Sequence, residues 1–195
     1  MSDPAKSKGL KQLGLLQVPI VLTALIWGMF VLDYLLPWNA NLSLGLVPRT
    51  SDGAWGIVGM PFTHGDWGHL IANTVPLLIL TTLLAVTGKG WGTVAGITLL
   101  GGALLWGFGR GGVAHVGASG LIYGLALFIV VRGIVERRLV LIVVSLLVAI
   151  LYGGVLFAGV DPTQKGVSWD GHLAGAVAGG LVAINGRKKK PEAKR

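Results

Sequence analysis

Apolar residues run in six long stretches, at about 18–36, 68–87, 91–108, 117–132, 138–158 and 170–186. Each approaches the ~20 residues that a helix needs to cross the hydrocarbon of a bilayer. Polar or glycine-rich connections separate them: Gly88-Lys89-Gly90, Arg110-Gly111-Gly112, Glu136-Arg137-Arg138, and the segment from Asp161 to Asp170. The first connection, 37–66, is the longest, and the third and fourth stretches are the least sharply divided. Runs this long and this uniformly apolar predict spanning helices rather than amphipathic ones. The expected fold class is an all-α integral membrane protein, a bundle of six transmembrane helices.

Composition agrees. The chain has 195 residues, of which 53% are hydrophobic and 12% charged, with a mean hydropathy of +0.74. A soluble domain of this length could not bury so much apolar surface. The expected organisation is a basic N-terminal segment at 1–17, a six-span domain at 18–186 and a basic tail at 187–195. That leaves no room for a separate soluble domain or for regulation by one. The first stretch is long for a signal sequence, and no small-residue cleavage site follows at Pro37-Trp38-Asn39. With no cysteine, disulfides and thiolate metal sites are excluded.

The net charge of +8 would suit a nucleic-acid binder until it is located. Much of it flanks the first and last apolar stretches, with no aromatic residues interleaved, which points to the lipid bilayer as partner and not to nucleic acid. An even number of spans puts both termini on one side. If that side is cytoplasmic it holds 13 of the 16 Lys and Arg residues, leaving Arg49, Arg110 and Lys165 outside. Basic residues concentrate on the cytoplasmic side of membrane proteins, so one assumption accounts for count and direction together.

Spans two, four and six then enter from the outer face, and their first turns carry polar residues that a membrane helix does not hold without a reason. Span two begins His69-x-x-x-Asn73, span four Gly117-x-Ser119-Gly120, and span six Gly171-His172-x-x-Gly175. His69 and Asn73 share one helix face; taken alone, they would be hydrogen-bonding residues between helices. A metal reading is weaker, because His64 lies five residues before His69 and no carboxylate holds a zinc-enzyme position. Ser119 sits at a helix start, where free N–H groups and the helix dipole favour developing negative charge. His172 is the matching base, since a serine hydroxyl attacks poorly until an imidazole takes its proton. Gly120-x-x-x-Gly124 and Gly171-x-x-x-Gly175-x-x-x-Gly179 would let their two helices approach closely. Tyr123, one turn below Ser119, suits either stacking on the imidazole or an ordinary interfacial role. Asp170 is two residues from His172 and points elsewhere on a helix, so a dyad is expected rather than a triad.

This ordered set resembles the rhomboid family of intramembrane serine proteases, in its basic six-span bacterial form. The likeness runs from about Phe62 to Gly180, on His64, His69-x-x-x-Asn73, Gly117-x-Ser119-Gly120 with Tyr123, and Gly171-His172-x-x-Gly175-x-x-x-Gly179. It implies that Ser119 attacks and His172 serves as general base, then acid. It further implies an oxyanion hole of Asn73, His69 and the Ser119 N–H. Tyr123 would stack beneath the histidine, His64 would be structural, and Gly117, Gly120, Gly171 and Gly175 would support the site. The substrates implied are transmembrane proteins, cut in or near their membrane segments without metal or organic cofactor. The first external loop, 37–63, lacks the Trp-Arg pair common in the family.

The expected setting is a prokaryotic plasma membrane, with the site near the extracytoplasmic face. One rival is a rhomboid-like pseudoprotease that binds membrane clients without cutting them; retention of both Ser119 and His172 argues against it. Another is a small transporter, which would show charges inside spans or an inverted repeat; apart from Asp170 at the very start of the last stretch, Asp33 is the only acidic residue inside the apolar stretches.

Overall fold

The computed structural model describes residues 4–36 and 39–186. The basic tail at 187–195, and Pro37 and Trp38, lie outside the described residues. Helices account for most of the chain: α1 (Pro4–Leu35), the short α2 (Ala40–Leu44) and α3 (Gly56–Gly59), α4 (Trp67–Val86), α5 (Trp91–Phe108), α6 (Ser119–Glu136), α7 (Leu139–Ala158) and α8 (Trp169–Asn185). Among the described residues the extended backbone amounts to one isolated bridge, Leu46 with His115.

Among the described residues, five helices are long and apolar enough to cross a membrane: α4, α5, α6, α7 and the Leu16–Leu35 part of α1. The sixth stretch forms α8, which has 17 residues and carries Asp170 in its first turn. Three boundaries differ from the sequence reading. α1 starts at Pro4, so helix continues back through most of the basic segment. α6 starts at Ser119 instead of 117, because Gly117 has a φ of +102° that no helix contains. It continues to Glu136, where Arg137 in a left-handed conformation stops it. The long first loop contains α2, α3 and two single-turn 3-10 segments, Asp52–Trp55 and Met60–Phe62.

Apolar spacing determines how the helices pack. Val18, Leu22, Ile26 and Phe30 recur every four residues and form one buried stripe on α1. They share a core with Leu70, Leu77, Leu80 and Leu84 of α4. α6 is the central helix, with 61% of its span buried, whereas α7 has 17% buried and packs chiefly on α6. Exposed Val140, Leu147, Ile150, Leu151 and Phe157 on α7 make an apolar face suited to lipid. The most extensive helix pair is α6 with α8. Hence the helices that begin with Ser119 and carry His172 are the most intimately joined.

Candidate active site

Ser119 opens α6, and its helix N-terminus lacks a side-chain cap, so the first N–H groups have no partner within the helix. The serine Oγ lies 2.8 Å from His172 Nε2. The other imidazole nitrogen, Nδ1, lies 2.7 Å from the Gly159 carbonyl oxygen at the end of α7. A carbonyl can only accept, so Nδ1 carries the proton and Nε2 presents a lone pair to the serine hydroxyl. The backbone therefore selects the tautomer that a general base requires. Tyr123 stacks on the imidazole, with ring centroids 4.1 Å apart and planes 10° from parallel. The Tyr123 hydroxyl donates to the Val155 carbonyl of α7 at 2.8 Å, which locks the ring. A ring face so placed also favours the imidazolium formed when Nε2 takes a proton.

A cavity of about 590 Å³ opens beside this pair, lined by His69, Asn73, Ser119 and His172 among others. Asn73 is buried, and its side-chain Nδ2 is a donor without a partner. A free amide donor lining the same cavity as the serine is what an oxyanion forming there would need. His69 borders the same space and is pressed against Gly117, where an added Cβ would lie 2.5 Å from the imidazole. Positive φ and this close approach both require glycine at 117. Asp66 caps α4 by accepting from the His69 N–H at 2.8 Å, which fixes the first turn that aims His69 and Asn73.

His64 lies just before α4, and its Nε2 accepts the Ala118 N–H at 3.5 Å, one residue before Ser119. Burial, aided by the neighbouring His69, lowers the His64 pKa from 6.5 to about 4. An unfolded chain would take up that proton near pH 6.5 and the folded one only near 4. The unfolded state therefore binds more protons inside that window, and folded stability falls as pH drops through it. The thermal midpoint in detergent should decline between pH 6.5 and 4, and His64→Gln should flatten that decline. An unchanged slope in the variant would remove His64 as the cause.

The sequence-predicted residues divide into two groups. Ser119, His172, Asn73 and His69 gather on one cavity and Tyr123 stacks on His172, while Gly120, Gly171 and Gly175 lie along the α6–α8 seam. Asp170 makes no hydrogen bond to His172 and pairs with Arg110 at 3.0 Å. Sequence reasoning missed the Gly159 carbonyl, which has no side-chain signature. It also missed His115, buried in the cavity wall. His115 lies in the connection between the third and fourth stretches, where a polar residue carries no signal of its own.

Residues 51–189 match the Rhomboid domain. The chain belongs to the rhomboid family. It is thus an integral membrane protein of a family of intramembrane serine proteases. Similar proteins are mycobacterial and described as uncharacterized. Those of Mycobacterium bovis and Mycobacterium tuberculosis are 42% identical over 149 residues, covering 71% of this chain and 62% of theirs. One from Mycobacterium leprae is 41% identical over 144 residues, covering 68% of this chain and 56% of its own. The matched part of the chain therefore spans less than two thirds of the length of these relatives.

Proposed function

We propose that the chain is an intramembrane serine endopeptidase that cleaves membrane-anchored proteins within or near a transmembrane segment. The observation that carries this reading is the 2.8 Å contact between Ser119 Oγ and His172 Nε2, with Nδ1 already held by Gly159. In the reaction Ser119 Oγ attacks the scissile carbonyl while His172 takes the hydroxyl proton. His172 then protonates the leaving amine, and the C–N bond breaks to leave an acyl-enzyme. Water, deprotonated by His172, releases the second product and restores Ser119. Asn73, His69 and the Ser119 N–H bind the oxyanion in both halves. No step requires a metal or organic cofactor.

The helix that holds Asp170 and His172 serves as the sixth span, with both termini cytoplasmic and the cavity towards the extracytoplasmic face of a prokaryotic plasma membrane. Charge placement supports this orientation. A site near that face also gives the hydrolytic water a route in.

Asn73→Ala should lower kcat by about 10²–10³-fold, the usual effect of removing one oxyanion donor, roughly 3 kcal/mol. KM should change little, because the donor acts on charge present only in the transition state. Single-turnover cleavage of a single-span substrate would measure it. The direct test of the activity uses purified wild-type protein in detergent. A fluorophosphonate probe should label Ser119, and the protein should cut a single-span substrate near its membrane segment. A protein that binds such substrates yet shows neither labelling nor cleavage would be a pseudoprotease instead.

A further inference from the structure

Two connections meet above the cavity: 109–118, which leads into Ser119, and 159–168, which leads into the helix bearing His172. Asp170 accepts the Arg110 backbone N–H at 2.7 Å and its guanidinium at 3.0 Å. The same guanidinium donates to the Val167 carbonyl at 3.0 Å and lies 5.4 Å from the Trp169 ring centre. His115 Nε2 lies 3.3 Å from the Arg110 carbonyl, and Nδ1 lies 2.6 Å from the Ser168 hydroxyl. As the carbonyl only accepts, Nε2 holds the proton and Nδ1 accepts from Ser168. Ser168 stands at the cap position of α8 without capping it. Its hydroxyl reaches across to the other connection instead. The Asp170 side chain is buried, whereas the Arg110 side chain is half exposed.

We infer that Arg110, Asp170, His115 and Ser168 form a latch that holds the connection leading to Ser119 against the start of the His172 helix. Asp170 is a positioning residue that acts through Arg110. It does not orient the imidazole, whose Nδ1 is occupied by Gly159. The latch matters because proton transfer needs the serine and histidine at hydrogen-bond distance, and a misplacement of ~1 Å can cost about 100-fold in rate. The kinetic consequence rests on the endopeptidase reading; the mechanical one does not.

The experiment uses the purified full chain with Asp170→Ala, Asp170→Asn, Arg110→Ala and the double alanine variant. Three quantities are followed: the rate of Ser119 labelling by a fluorophosphonate, the kcat and KM for a single-span substrate, and tryptic cleavage at exposed Lys165 in the second connection. Asp170→Ala and Arg110→Ala should each slow labelling and kcat by about 10–100-fold with KM nearly unchanged. The double variant should be no worse than the poorer single one, since the two residues act as a unit. Asp170→Asn, which can still accept from the Arg110 N–H, should recover most of the rate. Cleavage at Lys165 should quicken several-fold in both alanine variants.

Wild-type labelling rates in Asp170→Ala would overturn the latch, even if its melting temperature fell. A slow Asp170→Ala beside a normal Arg110→Ala, with a displaced pH–rate profile, would overturn it in favour of a direct electrostatic partner for His172. If the wild type itself neither labels nor cleaves, the endopeptidase reading fails. The latch is then decided by trypsin alone: faster cutting at Lys165 in Asp170→Ala supports it, and unchanged cutting overturns it.

Discussion

Ser119→Ala should abolish cleavage of a transmembrane substrate, with a fall in kcat of at least about 10⁴-fold, the scale of losing the nucleophile in other serine proteases. His172→Ala should fall by a similar factor, because the hydroxyl 2.8 Å from Nε2 then has no base to take its proton. The double variant should be no worse than either single one, since nucleophile and base act in one step. Substrate affinity should survive in Ser119→Ala: Asn73 and the cavity remain, and only a hydroxyl is lost. Gel analysis of cleavage, with binding measured separately, would check both parts. Equal cleavage by wild type and Ser119→Ala would end the dyad proposal.

These residues could be found before any coordinates because a membrane makes polar side chains conspicuous. Ser119, His172, His69 and Asn73 stand out against apolar runs, and charge placement brought their helix ends to one depth. Glycines repeating every four residues allowed close approach of α6 and α8, and those two helices form the most extensive pair. What sequence reading could not supply was carried by the backbone. The Gly159 carbonyl sets the His172 tautomer, yet any residue type has a carbonyl. Local propensity also misplaced the start of α6: an apolar pattern says nothing of the positive φ at Gly117, nor of the His69 ring that lies against it. The short helices between α1 and α4 were unreadable for a similar reason. They are held by distant contacts such as the Leu46–His115 bridge and the bond from the Arg49 N–H to the Trp106 carbonyl. α8 opens on Trp169-Asp170-Gly171-His172, of which Asp170 is bound by the other connection and His172 by the site.

Gly175→Ala should cost far more than its single methyl suggests, while Gly180→Ala on the same helix should be neutral to mildly stabilising. Both changes raise helix propensity by the same amount, about 1 kcal/mol, so propensity cancels between them. Space does not cancel. A Cβ at Gly175 would overlap the Gly120 carbonyl oxygen and lie 2.7 Å from its carbon. Those are backbone atoms one residue after Ser119, and no rotamer change can move them aside. At Gly180 the nearest atom to a Cβ is a Val131 methyl at 3.9 Å, an ordinary contact. Relief of the overlap at 175 must push α8 away from α6, at an overpacking cost of about 1–3 kcal/mol. The same shift lengthens the Ser119–His172 contact, and a displacement of ~1 Å there lowers the rate by about 100-fold. Gly175→Ala should therefore lower both kcat and the thermal midpoint, with kcat falling more than the stability loss explains. Gly180→Ala should retain wild-type cleavage. Equal activity in the two variants would mean that the seam has slack, and that close packing of α6 on α8 is not what sets the distance between serine and histidine.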